Sequence, residues 1–497
     1  MGFIKGFFIA NHATNTLFDV LNVRKGQKAL YSAKAAAQTG YIFPNEQVGV
    51  DSAGLMDYRG VEWPESISGA LPKSCGVVPI GELRNPRTKF ATDAWLPWQV
   101  FNTHTAIIAP TGSGKTYGLV VPWILSFIKA GGRVITNDVK GDLLDCLLKA
   151  KDDFEVANFS VTRWDPMDKR FSKRWNPLSE VHDDASRNRL VTALLGDISK
   201  AKGESKFFLE RDHRWLDGII KMSLAIEPNA NFFDIYQLVS NQNDLADTIG
   251  ANIGICNEIS DMAQLSTYDY SLAIGSIKNK LRWLTYDDAK YVTSKSDISL
   301  ENIIETPGLL LIGSNFNNGE PAAAAASMMY AMLRSVTFKR HSNDACLENA
   351  WIIDEAAVIA NRISLDETLS LARSANLGIA LALQDVTQFG NEEDQNRFLS
   401  NCKTFITLRD VSDATAKFFC KRLGSHTIQK VTSSLDSKGR YMPQISTESV
   451  PLLGESEIMH PPADFGVYCG IVHTPTLGSF CDPPAVTNRP YIVDFTR

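Results

Sequence analysis

Hydrophobic and polar positions follow two regimes along this chain. In two regions, roughly 100–160 and 301–410, short continuous apolar runs are closed by glycine or polar residues. They are Thr105-Ala106-Ile107-Ile108, Val134-Ile135 before Thr136-Asn137-Asp138, Phe154 to Phe159, Gly308 to Gly313, Ala350 to Glu355, Leu377 to Gln384 and Lys403 to Arg409. Runs this short, bounded by turn residues, read as strands buried on both faces. Helical stretches separate them: Tyr117 to Ile128, a helix opening at Asp142-Leu143-Leu144, an alanine-rich stretch from Pro321 to about Lys339, and Leu365 to Ala375. Alternation of this kind predicts an α/β fold, a mostly parallel sheet with helices on both faces. From 180 to 300 the period changes. Phe208, Trp215, Ile219, Met222 and Ile226 recur at steps of seven, four, three and four, one face of a helix. Phe232 to Val239, Leu245 to Ile249 and Ser271 to Leu284 also read as helix, so an all-α insertion is expected there.

The remaining stretches carry less pattern. Lys25 to Gln38 has helical composition, and Tyr41 to Pro86 is rich in glycine and proline and reads as irregular or short-stranded. Trp164-Asp165-Pro166 and Trp175-Asn176-Pro177-Leu178 read as turns.

The junction after the first strand carries chemistry. Ala109-Pro110-Thr111-Gly112-Ser113-Gly114-Lys115-Thr116 has the form of a phosphate-binding loop between a strand and a helix. Glycines let successive N–H groups turn inward around a phosphate, and the helix N-terminus adds the positive end of its dipole. Lys115 is placed to reach the β- and γ-phosphates of ATP, and the Thr116 hydroxyl to ligate Mg²⁺. Ala109 stands where the strict pattern has its first glycine, at the strand end rather than in the curl.

A second signal comes from Trp351-Ile352-Ile353-Asp354-Glu355, a buried strand that delivers two acids to the sheet's carboxyl edge. Asp354 reads as the residue that holds Mg²⁺ and Glu355 as the one that orients and polarises the attacking water. Gln384 ends the next strand and is expected to face the γ-phosphate. Arg373 and Arg409 are candidates for an arginine finger reaching into a neighbouring subunit, with Arg373 preferred. The expected catalytic set is therefore Lys115, Glu355, Gln384 and Arg373.

Composition narrows the class. The 497 residues are 44% hydrophobic with a net charge of −6, enough for a sizeable core and not a uniformly basic nucleic-acid coat. The eight cysteines include no CxxC pair and the eight histidines no HExxH, which leaves no zinc-ribbon or zinc-protease signature. Scattered cysteines read as buried thiols in a reducing compartment. No secretory signal and no window of about 18 apolar residues is seen.

Taken in order, these segments resemble the type IV secretion coupling proteins, the TraG/TraD group of conjugative DNA-transfer ATPases. The resemblance is carried by the loop at 109–116, Asp138-Val139-Lys140-Gly141-Asp142, Trp175-Asn176-Pro177-Leu178, the Asp354-Glu355 strand, and Leu371-Ala372-Arg373-Ser374-Ala375-Asn376-Leu377-Gly378-Ile379 leading to Gln384. Asn401, Asp413-Ala414-Thr415-Ala416, Leu423-Gly424, Val450-Pro451-Leu452-Leu453 and Glu457-Ile458 extend it. The family implies a RecA-like P-loop motor with an all-α domain inserted between the nucleotide motifs. It implies a homohexamer with nucleotide at subunit interfaces and a central DNA channel. It also implies delivery of relaxase-bound single-stranded DNA, or of protein substrates, to the components of a type IV secretion channel. The expected domains are an N-terminal region at 1–95, nucleotide-binding parts at 96–179 and 301–497, and the all-α insertion at 180–300. Family members usually carry an N-terminal membrane anchor; none is evident here, which points to a cytoplasmic protein peripheral to the inner membrane and held by a separate anchoring partner.

Two other readings compete: a soluble DNA pump of the HerA/FtsK type in repair or defence, and a nucleotide-binding adaptor without turnover. Lys115, Asp354 and Glu355 all being present argues against the adaptor. In the insertion, Lys200, Lys202, Lys206, Arg211 and Arg214 lie beside Phe207, Phe208 and Trp215. That grouping suits either phosphate contact with base stacking or a packed helix with solvated charges.

Overall fold

A computed structural model describes residues 77–84, 91–156, 158–313, 319–340, 346–435, 441–451, 454–460, 469–475 and 488–494. The helix expected at Lys25 to Gln38 lies outside them. The chain forms two compact units: 95–404 with 77–79 in the larger, and 80–94 with the residues from 405 onward in the smaller.

The larger unit is built on six parallel strands: β1 (Thr105–Ile108), β2 (Arg133–Asp138), β3 (Val161–Trp164), β4 (Gly308–Gly313), β5 (Asn349–Ile353) and β6 (Leu377–Leu383). Their spatial order is β1-β6-β5-β2-β4-β3. Every residue of β1, β2, β4, β5 and β6 is buried, as the unbroken apolar runs require of a sheet covered on both faces. Ile108 stands opposite Leu383 and Ile353 opposite Leu381, so β1, β6 and β5 end side by side. Gly378 lets β6 pass close to its cover: a Cβ there would lie 2.5 Å from the Phe101 ring.

Helices α1 (Val121–Lys129) and α2 (Leu143–Ala150) follow β1 and β2. The strand expected at Phe154 to Phe159 is not found among the described residues there. Lys151 N–H bonds Leu147 O, Glu155 takes a left-handed φ of 52°, and Val156 N–H returns to Lys151 O, which closes α2 as a turn. The strand comes later, at Val161–Trp164, and takes in the start of a segment that reads as a turn.

Between β3 and β4 the described residues are helical, apart from their connections. The main members are α3 (Asp184–Leu195), α4 (Glu204–Ile226), α5 (Phe232–Ser240), α6 (Gln242–Ala251) and α7 (Thr267–Leu281). On α4 the middle of the expected face is core, with Trp215, Ile219 and Met222 at most 2% exposed. Its ends are not: Phe208 and Ile226 are about half exposed.

The block is sewn to the sheet rather than merely appended. Trp175 N–H bonds Val292 O, Asn176 Nδ2 donates to Ala230 O, and Arg174 pairs with Asp297. α3 packs on the alanine-rich α8 (Glu320–Thr337), which is buried from Ala322 to Thr337. Small side chains let α8 lie close to layers on more than one side.

Helices α9 (Leu365–Ala372) and α10 (Glu392–Leu399) complete the larger unit. At the amino end of the sheet His104 is buried in a left-handed conformation, φ 68°. Its ring bonds Leu369 O of α9 and accepts from Ile379 N–H of β6, and burial lowers its pKa to about 4.

The smaller unit contains β7, the strand Thr404–Leu408 that starts at the boundary, antiparallel to Cys469–Pro475, which pairs in turn with Asn488–Asp494. It also holds an antiparallel hairpin of Ser425–Leu435 with Tyr441–Pro451, and α11 (Asp413–Leu423). Among the described residues no helix is long and apolar enough to cross a membrane.

Candidate active site

The register of the sheet decides which side chains meet. Ala109 N–H continues the β1 ladder onto Leu383 O, so the loop at 109–116 leaves the sheet beside Gln384. Asp354 and Glu355 follow β5, the next strand over, and Asn137 and Asp138 end β2 beyond that. Four adjacent strands thus bring their polar termini to one carboxyl edge, where α/β sheets bind ligands.

Gly112 and Gly114 take φ of 82° and 88°, values that residues with a Cβ rarely adopt, and these give the loop its curl. No atom lies within 4 Å of a Cβ built on Gly112, so the curl faces open space. Ser113 Oγ is buried and has no hydrogen-bond partner. Immediately after the loop comes one π turn, Thr116–Val120, in which Val121 N–H reaches back to Thr116 O. Such turns recur at functional sites.

Lys115 points into this edge and is nearly buried. Its Nζ lies 2.9 Å from Asp354 Oδ1 and 3.9 Å from Glu355 Oε1. All three side chains are at most 14% exposed. One ammonium therefore faces two carboxylates in a poorly solvated place, an excess of negative charge that suits a further cation.

Gln384 closes the group. Its Nε2 donates to Glu355 Oε1 at 2.6 Å, and its Oε1 accepts from Thr111 Oγ1 at 3.1 Å. Thr111, Gln384, Glu355 and Lys115 thus form a continuous ring that begins and ends on the same loop. Glu355 sits at φ 50°. Left-handed backbone at such a residue costs on the order of 1–3 kcal/mol and persists only where its surroundings hold it.

Two contributors were not singled out from the sequence. Asn137 grips the Asp354 peptide from both sides, Nδ2 donating to Asp354 O and Oδ1 accepting from Asp354 N–H, each at 2.8 Å. Gln388 donates from Nε2 to Glu355 Oε2 at 3.4 Å. The available signals were an amide at the penultimate position of a buried strand and a second glutamine four residues after Gln384. Asp138 caps the next turn, accepting from Gly141 and Leu143 N–H, while burial raises its pKa.

The arginine candidates lie elsewhere. Arg373 is exposed and precedes β6, whose far end carries Gln384. Seven strand residues at about 3.3 Å each put it roughly 23 Å from its own chain's loop edge. Arg409 belongs to the smaller unit, 4.0 Å from Asp410.

In the helical block the arginines are engaged internally. Arg211 pairs with Asp212, donates to Ala273 O and lies over the rings of Phe208 and Trp215. Arg214 pairs with Asp261. Trp215 is core, while Lys202, Lys206, Phe207, Phe208 and Arg214 are exposed, so the grouping is part packing and part surface. Phe207, Phe208 and Leu272 remain exposed around a cleft of about 1040 Å³.

A family model described as type IV secretory system conjugative DNA transfer matches residues 61–467. The chain is 22% identical over 382 residues to the protein VirD4 of Rhizobium radiobacter, covering 71% of this chain and 53% of VirD4. A shorter stretch of 78 residues is 44% identical to the conjugal transfer protein TraG of Escherichia coli, 16% of this chain and 12% of TraG. The chain spans about half the length of the VirD4 relatives it matches. Among solved structures it is similar to the bacterial conjugative coupling protein TrwB in unbound form, with a TM-score of 0.61 and 16% identity over 80% of this chain and 86% of that one. The TrwB complex with ADP and Mg²⁺ superposes with a TM-score of 0.59 at 16% identity over the same shares. At this identity the likeness speaks to the fold, which is that of a RecA-like P-loop NTPase with a large helical insertion.

Proposed function

The chain belongs to the type IV secretory system conjugative DNA transfer family, and from that premise we propose that it is an ATP-driven coupling protein that moves DNA toward a type IV secretion channel. One observation carries the reading beyond family membership: Lys115, Asp354, Glu355 and Gln384 converge within hydrogen-bonding or ion-pairing distance at one sheet edge. A nucleotide-binding adaptor has no need of the acid pair or of the amide that holds it.

The residues present fit ATP with Mg²⁺. The open curl at Gly112, the unpartnered Ser113 Oγ and the excess carboxylate charge all face the same edge. Among the described residues no group of three or more His, Cys, Asp or Glu is placed to cage a metal. A cation here would rest on Thr116 and Asp354 and draw its other ligands from phosphate and water, as Mg²⁺ commonly does. When bound, Mg²⁺ neutralises charge on the β- and γ-phosphates. Lys115 then exchanges its carboxylate partners for phosphate oxygens. Glu355, released from the ammonium, orients the water that attacks the γ-phosphorus and takes its proton, as the bond to the β–γ bridging oxygen breaks and ADP leaves. Gln384, bonded to both Thr111 and Glu355, transmits the state of the loop to that carboxylate. Solved structures of TrwB in complex with a non-hydrolysable ATP analogue and with ADP and Mg²⁺ support this ligand assignment.

The same reading assembles the chain as a homohexamer around DNA, single-stranded and relaxase-bound, with secretion-channel components and protein cargo as further partners and a separate membrane protein as anchor. About 23 Å from its own loop, Arg373 does not serve its own chain's phosphate, and its assigned role is therefore in a neighbour. The helical block at 180–300 is assigned substrate choice, since none of the site residues lies in it.

Three outcomes are expected. Lys115→Ala abolishes ATP hydrolysis, and Glu355→Gln retains ATP binding while losing turnover; equal hydrolysis rates in wild type and Glu355→Gln would remove Glu355 from its role. Mixing Arg373→Ala with Glu355→Gln subunits restores part of the activity at interfaces that join two intact halves; rings that form and show no recovery at any ratio count against Arg373. Because α3 covers α8, deletion of the block would expose core. Exchanging 180–300 for the block of a relative with another substrate is the better test. ATPase activity persists and the delivered substrate follows the block; an unchanged preference contradicts the assignment.

A further inference from the structure

Gln388 stands four residues beyond Gln384 and bonds from both ends of its amide. Its Oε1 accepts from Gln384 N–H at 2.8 Å and from Asp385 N–H at 3.4 Å. Its Nε2 donates to Glu355 Oε2 at 3.4 Å, while Gln384 Nε2 holds Oε1 of the same carboxylate. Each oxygen of Glu355 therefore has its own amide donor, and one of those donors also fixes the backbone of the other.

A purely local explanation exists. Asp385 and Gln388 form a capping box at the start of the turn Val386–Phe389. A box needs only an acceptor at its third position, and glutamate serves there as well as glutamine. The Nε2 contact to Glu355 lies outside that requirement. It also falls on the one residue of the acid pair whose backbone is left-handed, φ 50°, and which therefore depends on its surroundings for its orientation.

We propose that Gln388 is a positioning residue for ATP hydrolysis, holding the Glu355 carboxylate in a fixed plane and locking Gln384 beside it. The inference rests on the ATPase reading given above. With both oxygens held, the carboxylate rotates only by breaking a hydrogen bond from a glutamine amide. When Lys115 turns to phosphate, Glu355 loses its cation, and the two glutamines are what keep it aimed. The role is confined to aim: Gln388 touches the carboxylate and not the loop.

The discriminating variant is Gln388→Glu. It preserves the acceptor of the capping box and replaces the donor with a second carboxylate beside Glu355. Steady-state kinetics and binding of a fluorescent ATP analogue with Mg²⁺ are measured on the full chain. A positioning role predicts kcat lowered about tenfold or more with nucleotide affinity, KM and melting temperature little changed. Wild-type kcat in Gln388→Glu overturns the proposal and leaves a capping role alone. If Gln388→Glu also loses ATP binding, Gln388→Met, which adds no charge, decides. Reduced kcat at near wild-type KM supports the role, and unaltered kcat refutes it. A wild-type protein that binds ATP with Mg²⁺ yet never turns it over removes the ATPase reading and the Gln388 role together. Wild-type turnover matched by Gln388→Glu removes only the latter.

Discussion

The Lys115 ammonium facing Asp354 and Glu355 is the interaction on which the rest of the structure depends. Two carboxylates and one ammonium at most 14% exposed are costly to desolvate unless each is held in good geometry. The fold supplies that geometry from several directions. Asn137 fixes the Asp354 backbone, Gln384 and Gln388 hold the Glu355 carboxylate, and the positive φ of Gly112 and Gly114 turns the loop so that Lys115 points inward. Removing Lys115 leaves two nearly buried carboxylates with no cation between them. The same triad gives the loop a defined conformation, because the ammonium rests on its own chain until phosphate offers better acceptors.

Strand order makes the triad possible. β1, β6, β5 and β2 are scattered in sequence yet adjacent in the sheet, with Ile108 opposite Leu383 and Ile353 opposite Leu381. Their polar ends fall together without long side chains having to span gaps. Residues 165–307 separate β3 from β4, most of them helical, but the bonds of Trp175 and Asn176 to Val292 and Ala230 close that excursion at its base. A large insertion therefore leaves the β2–β4 register undisturbed, Arg133 opposite Gly308 through Asp138 opposite Gly313.

Much of this was legible in the residues. Continuous apolar runs located five of the six parallel strands, because a strand covered on both faces has no polar alternation to confuse the reading. The loop, Asp354, Glu355 and Gln384 were legible because strand ends in such a sheet face the ligand edge. The expected strand at Phe154 to Phe159 was wrong for a local reason: Val156 bonds back to Lys151 and the segment closes a helix. Phe208 and Ile226 fit the helical period but are about half exposed, which periodicity does not measure. Asn137 and Gln388 escaped because an amide is unremarkable in sequence; only the register shows that Asn137 meets the Asp354 peptide. Arg211 and Arg214 were open to two readings in sequence, and their partners Asp212 and Asp261, one adjacent in sequence and one 47 residues away, are visible only in the structure.

If Lys115 trades Asp354 for phosphate, and Asp354 then serves Mg²⁺, the two events are separable at one residue. The most direct test is ATP affinity measured calorimetrically, with Mg²⁺ and with EDTA, in wild type and in Asp354→Asn. The account predicts that Mg²⁺ tightens binding to the wild type. In Asp354→Asn, metal-free affinity is at least that of the wild type, because the ammonium is already released, and the gain from Mg²⁺ is largely lost. An Asp354→Asn protein that binds more weakly without metal and still gains as much from Mg²⁺ as the wild type would contradict it.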